Sequence, residues 1–227
     1  MDRVTAILFA LVWTAGMPAS AQDPAADAAA KAAFQKLAEK FKGVKTLSAK
    51  VVQHRRTELL DKPVTSSGTM YYRRDPARLV FHMTEPRKSE IHLDRTTYQV
   101  YRPDEKRVER TDFTTEDVST KILMVFEPKP EEIGKAFTIR GGESRDGEIE
   151  VRMESSDEKV RKRLQKVSLT IVEADGTLRR ISYVDGEGDE VRFDLAEVAI
   201  NPELAPDLFT LKIPEGTRVL RRKLEKE

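Results

Sequence analysis

From Leu47 onward the chain alternates apolar and polar residues with a period of two, again and again, which confines it to a fold built from half-buried strands. Leu47, Ala49 and Val51 alternate with Ser48, Lys50 and Val52, and Gly68, Met70 and Tyr72 with Thr69, Tyr71 and Arg73. Leu79, Phe81 and Met83 follow, then Ile91 and Leu93, then Tyr98 and Val100, with Asp75-Pro76 and Glu85-Pro86 as breakers. In the second half Ile149, Val151 and Met153 share a face, as do Val167, Leu169 and Ile171, then Ile181 and Tyr183, then Val191, Phe193 and Leu195. Asp146-Gly147, Asp175-Gly176 and the Asp185 to Asp189 segment read as hairpin connections, because glycine and aspartate tolerate the backbone angles of tight turns.

Two segments depart from this period. Between Ala25 and Phe41, residues Ala30, Phe34, Leu37 and Phe41 recur at spacings of four, three and four, which places them on one face of a helix that Gly43 can end. Thr115 to Glu127 predicts a second helix, with Val118, Ile122, Val125 and Phe126 near helical spacing and Pro128 and Pro130 beyond it. A wide apolar sheet face cannot be left in water. The expected architecture is therefore mainly β (α+β): a single curved antiparallel sheet of about ten strands with the N-terminal helix and the mid-chain helix as its lid.

The chain has no cysteine, so disulfides, thiolate chemistry and Cys-based metal sites are excluded and stability must come from a packed core. Lysine and arginine number 40 against 39 acids, a near balance that excludes a phosphate backbone as partner; no nucleic acid is expected. At the start, Arg3, the apolar run Val4 to Val12 and Ala19-Ser20-Ala21 before Gln22 read as a secretory signal peptide, cleaved after Ala21. Gln22 stands where a lipid-anchored bacterial protein would have cysteine. Residues 22–227 are thus expected to be one exported, unanchored, monomeric domain, with Gln22 to Ala28 and Arg221 to Glu227 fraying.

Catalytic signals are few. His54, His82 and His92 fall on different predicted strands and none sits at a metal-ligand spacing, so no metal and no cofactor are expected. Gly141-Gly142-Glu143-Ser144 lacks the lysine and helix of a phosphate loop, and Asp185 to Glu190 departs from a calcium loop and reads as a turn. An envelope hydrolase would need a converging nucleophile and base, and the sequence offers neither. The chain is not expected to be an enzyme.

A longer pattern carries more. Val44-x-x-Leu47-x-Ala49-x-Val51-x-Gln53 is followed by Gly68-x-Met70-Tyr71-Tyr72-Arg73-Arg74-Asp75-Pro76, by Phe81-His82-Met83-Thr84-Glu85-Pro86 and by Tyr98-x-Val100-Tyr101-x-Pro103. The closing segments are Phe193-Asp194-Leu195, Ile200-Asn201-Pro202 and Leu208-Phe209-Thr210-Leu211-x-Ile213-Pro214-x-Gly216. Over about residues 34–219 this order resembles the periplasmic outer-membrane lipoprotein carrier family, the LolA type.

The resemblance implies an incomplete barrel around an apolar cavity with helices as a lid. It also implies a soluble periplasmic carrier that takes acylated lipoprotein from an inner-membrane releasing ABC transporter to an outer-membrane acceptor. A carrier of free lipid or glycolipid, or an envelope lipid sensor, shares the same features. In the family an arginine near a proline, after the strand that begins with glycine, holds the lid closed; here Arg74 matches, and Arg73 is the alternative because Asp75 precedes Pro76. Phe41, with Leu37 one turn earlier, matches the family's apolar lid contact. The cavity-facing set expected on the strands is Val51, Met70, Tyr72, Leu79, Phe81, Met83, Ile91, Leu93, Val167, Leu169, Ile171, Ile181, Tyr183, Val191, Phe193 and Leu195.

Overall fold

The computed structural model describes residues 23–58, 62–113, 123, 135, 137–156 and 158–224. A long helix, α1 (Pro24–Phe41), comes first, followed by β1 (Thr46–Arg56), β2 (Val64–Arg73), β3 (Arg78–Glu85), β4 (Ser89–Leu93), β5 (Thr97–Arg102) and β6 (Arg107–Phe113). Then come β7 (Phe137–Arg145), β8 (Glu148–Ser155), a short helix α2 (Glu158–Arg163), β9 (Leu164–Val172), β10 (Leu178–Asp185), β11 (Glu190–Ile200) and β12 (Arg218–Leu224). All twelve strands form one sheet in the order β12-β6-β5-β4-β3-β2-β1-β11-β10-β9-β8-β7. Neighbours run antiparallel except β12 and β6, and the sheet stays open, with β7 and β12 as its two edges.

The expected strands form where the alternation is strong, as in β1, where Leu47, Ala49 and Val51 are all buried. Hairpin signals also hold: Asp146 and Gly147 take positive φ between β7 and β8, and Gly176 does so between β9 and β10. Asp185 folds back on its own loop, accepting from the backbone N–H groups of Glu187 (3.0 Å) and Asp189 (3.1 Å), while Arg55 bridges Asp185 and Asp189.

Three strands have no clear period in sequence. In β6 Val108 is the one buried residue, β7 buries Phe137 at its start, and β12 is largely charged. The C-terminal segment does not fray from Arg221: residues 218–224 pair in parallel with β6, opened by the Arg218 N–H donating to the Lys106 carbonyl at 2.8 Å. A bare edge leaves a row of unpaired backbone groups, and this segment satisfies one such row.

The N-terminal end of α1 is also more ordered than expected. Asp23 caps it, its side chain accepting from the Ala25 N–H at 2.9 Å, and Pro24 occupies the first turn, where its missing N–H costs nothing. The Asp27 carboxylate then reaches the β7 backbone, accepting from the Gly141 N–H at 2.7 Å and pairing with Arg140 at 3.3 Å. Gly141 is obligatory for that approach, since a Cβ there would lie 2.3 Å from the Ala26 backbone. The expected signal peptide, residues 1–21, lies outside the described residues. So does the expected mid-chain lid helix at 115–127, apart from Leu123, which is buried in the core.

Strong curvature defines the concave face. Phe81 on β3 and Phe193 on β11 stack with centroids 5.3 Å apart although β2 and β1 lie between their strands. Gly68, on the same face of β2, leaves room for that fold; a Cβ there would lie 2.1 Å from the His82 carbonyl oxygen. On the convex face the turn at Pro206–Phe209 packs against β3, where Arg78 Nη1 donates to the Phe209 carbonyl at 2.6 Å.

Candidate functional site

Alternation within each strand puts the expected cavity-facing residues on the concave face, and α1 lies across it. Val51, Met70, Tyr72, Leu79, Phe81, Met83, Leu93, Leu169, Ile171 and Leu195 are buried in one cluster, with Ile91, Val167, Ile181 and Phe193 packed at its margin. From α1 the same cluster receives Ala30, Ala33, Phe34, Leu37 and Phe41, so the helix and the sheet share one apolar interface. Leu37 is fully buried and Phe41 is 2% exposed. Tyr183 and Val191 stand apart from the cluster, at the wall of a hollow of about 440 Å³ that also holds His54, Arg56, Lys166 and Arg192. Among the described residues α1 packs chiefly against β7, β8 and β9, and its inner face joins the same apolar cluster as the concave side chains of the other strands.

The helix is fastened along its length by polar contacts. At its C-terminal end Arg74 donates two hydrogen bonds, Nη2 to the Phe41 carbonyl at 2.6 Å and Nη1 to the Lys42 carbonyl at 2.9 Å. The last carbonyls of a helix have no partner within it and carry its negative pole, so a guanidinium is well matched to both. Arg73 points elsewhere, its guanidinium 4.7 Å from the centroid of the Phe209 ring. Of the two candidate arginines, Arg74 alone contacts α1's end among the described contacts.

Asn201 supplies a second clasp. In left-handed conformation, with φ of 56°, it accepts from the Lys45 N–H at 2.6 Å and donates to the Gly43 carbonyl at 3.2 Å, tying the α1–β1 connection to the end of β11. The Ile200-Asn201-Pro202 pattern marked this position in sequence but gave it no role; a partner 156 residues away is not legible from spacing. Midway, Lys36 Nζ donates to the Glu173 carbonyl at 2.7 Å and Lys40 pairs with Asp175 at 2.8 Å, both at the β9–β10 turn. Hydrogen bonds from Lys40, foremost, and from Thr177 hold the Asp175 carboxyl far below the usual carboxylate range.

At the N-terminal end the Gly141 N–H, foremost, and the Arg140 guanidinium outweigh desolvation and hold the Asp27 carboxyl below its ordinary pKa. A carboxylate depressed in the folded state contributes stability above its unfolded pKa of about 3.9, and that contribution is lost as pH falls through the folded value. Urea unfolding of the wild type and of Asp27→Asn should therefore differ at pH 6 and converge toward pH 3. A gap that is constant across this window would show that Asp27 acts through packing rather than through its charge.

One group of potential metal ligands occurs among the described residues: His82, Glu90 and His92 on the convex face of β3 and β4. Burial is the main influence on His92 and keeps its imidazole below the usual range, against the raising effect of Glu90. No described helix is long and apolar enough to cross a membrane.

Known proteins resemble the chain to different degrees. No curated protein sequence matches it. A crystal structure of an uncharacterised conserved protein from Thermus thermophilus is similar over 83% of this chain and 97% of its own, with 11% identity and a TM-score of 0.49. The lipoprotein LppX of Mycobacterium tuberculosis is similar over 81% of this chain and 99% of its own, with 13% identity and a TM-score of 0.45. A LolA superfamily protein from Nitrosomonas europaea covers 80% and 97%, with 12% identity and a TM-score of 0.41. Residues 42–212 match the family model described as outer membrane lipoprotein carrier protein LolA, a span from the end of α1 past β11. With the sheet, its helical cover and that match in agreement, the chain belongs to the LolA family of outer membrane lipoprotein carrier proteins.

Proposed function

We propose that this protein is an exported carrier that shields the acyl chains of lipid-modified proteins on the concave face of its sheet, with α1 as a displaceable cover. The observation that carries this reading is the nature of the α1 interface: its inner surface is wholly apolar, while the bonds that fasten it are polar and peripheral. An acyl chain can replace Phe34, Leu37 and Phe41 in the apolar cluster that also holds Met70, Phe81 and Leu169. Met70 and Met83 suit such an exchange, since unbranched thioether side chains adapt to irregular partners.

The energetics require a cover of this kind. Each methylene is worth roughly 0.8 kcal/mol, so exposing one sixteen-carbon chain costs about 12 kcal/mol, and lipid-modified cargo does not cross water unaided. A cavity that returned all of that energy would never release its load. Closure of α1 on the empty protein lowers the net affinity by the free energy of closing, and Arg74 and Asn201 contribute to that term. Processing after Ala21 would free the carrier in the periplasm, between an inner-membrane ABC transporter as donor and an outer-membrane acceptor. In this reading the protein is a monomer, needs no cofactor and catalyses no reaction.

Native mass spectrometry of the protein purified from its own envelope, and of delipidated protein mixed with a synthetic triacylated lipopeptide, tests the proposal. A one-to-one lipopeptide adduct is the expected result, and its absence in both samples would overturn the carrier reading. Recovery of a free lipid or glycolipid instead would keep the carrier and change its cargo.

A further inference from the structure

We propose that His82, Glu90 and His92 form a binding site for a divalent transition-metal ion of the Zn²⁺ class on the convex face of the β3–β4 hairpin. The site lies on the opposite side of the sheet from α1 and does not depend on the carrier reading. Its ligands are assembled by strand register: His82 sits directly opposite Glu90, and His92 is two residues further along β4, on the same face. One ligand atom from each of the three lies within 4.8 Å of the others, and His92 Nε2 is 3.5 Å from Glu90 Oε2.

Two imidazoles and a carboxylate are a common donor set for zinc, with metal–ligand bonds of about 2.0–2.2 Å and a fourth position for water. Such bonds set ligand atoms roughly 3.3–3.6 Å apart in a tetrahedron, the separation that His92 and Glu90 already have. His82 must close the remaining gap by side-chain rotation, while the backbone ladder holds β3 and β4 in register. Tyr71 meets the His82 ring edge-on at 5.3 Å and restricts its orientation. His92 is held by its burial, at 7% exposure, while Glu90 and His82 are only half-buried, so an ion has a route in from solvent.

Neighbouring positive charge opposes a cation only in part, since the Arg78 charge reaches His92 while the Glu90 carboxylate acts the other way. Arg78 approaches from β3, but its guanidinium is committed to the Phe209 carbonyl. Arg110 on β6 borders the adjoining hollow of about 270 Å³ and is paired with Asp112 at 2.7 Å. Neither arginine is paired with Glu90, whose carboxylate faces His92. A bound ion would join β3 to β4 and stabilise the hairpin by mass action.

Isothermal titration of tag-free, metal-stripped protein with zinc chloride tests the site. Saturable one-to-one binding is expected, with magnesium failing to compete because it prefers oxygen ligands. His82→Asn and Glu90→Gln should each weaken zinc binding at least tenfold, while His54→Asn on β1 should leave it unchanged. Circular dichroism in chelator compares the folding of the variants, and if His82→Asn is misfolded the half-exposed Glu90→Gln decides. Absence of one-to-one binding in the wild type, or unaltered affinity in a folded Glu90→Gln protein, would overturn the proposal.

Discussion

Arg74→Leu is expected to bind a fluorescent acyl probe roughly 10- to 100-fold more tightly than the wild type and to hand it to acceptor vesicles correspondingly more slowly. The guanidinium makes two charge-assisted bonds to the end of α1, at 2.6 and 2.9 Å, the first part-buried and the second exposed, and together they contribute about 1.5–3 kcal/mol when formed. In the carrier reading they exist with α1 closed and break when lipid displaces it. Removing them destabilises the closed, empty state alone, and each 1.4 kcal/mol so removed appears as about a tenfold gain in affinity. Empty Arg74→Leu should also melt lower than the empty wild type. Arg74→Lys separates charge from geometry, because lysine keeps the positive end but cannot fork to two carbonyls. Probe affinity within twofold of the wild type in Arg74→Leu, with folding intact, would show that Arg74 caps the helix without biasing its closure.

The second large effect concerns the curvature of the sheet. Gly68→Ala is expected to lose about 3 kcal/mol of stability, which for a domain of this size lowers Tm by roughly 6–12 °C in circular dichroism melting. The new Cβ would lie 2.1 Å from the His82 carbonyl oxygen and 2.7 Å from the Met83 Cα, both backbone atoms of the paired strand β3. Neither can turn aside like a flexible side chain, so β2 and β3 must separate or flatten. Either response disturbs the Phe81–Phe193 stack that crosses above Gly68. A Tm change under 2 °C would mean that the strands absorb the methyl group without strain.

Where side-chain periodicity is strong, sequence and structure agree at most positions, Tyr183 and Val191 standing apart. Leu47, Ala49 and Val51 of β1, and Phe34, Leu37 and Phe41 of α1, are buried as their spacings require. Agreement fails where order comes from pairing. β12 carries four basic residues in its seven and no apolar alternation, yet it joins the sheet because β6 offers an unpaired edge. At the other end Asp23 and Asp27 read as polar residues of a fraying tail, until the Gly141 N–H on β7 gives Asp27 a partner 114 residues away.

The candidate sites divide in the same way. The apolar concave set was legible because every second residue of a strand shares a face. Arg74 was found by resemblance and remained one of two candidates until its bonds to Phe41 and Lys42 distinguished it from Arg73. His82, Glu90 and His92 looked unrelated, because their separation along the chain resembles no ligand motif. Antiparallel register makes residues eight and two apart into neighbours, and register is set by the turn at Pro86 and by burial of the opposite face.

The sequence by itself determined the class of fold, since period-two alternation over most of the chain with few helical segments admits little besides a sheet with one face to be covered. It also excluded disulfide and thiolate chemistry through the absence of cysteine. Tertiary structure alone decided which arginine bonds to the end of α1, how the edge beside β6 is filled and which histidines meet. The physical reason is that alternation records which side of a strand faces water, a local property, whereas hydrogen bonds and ligand sets depend on register and curvature between strands distant in the chain.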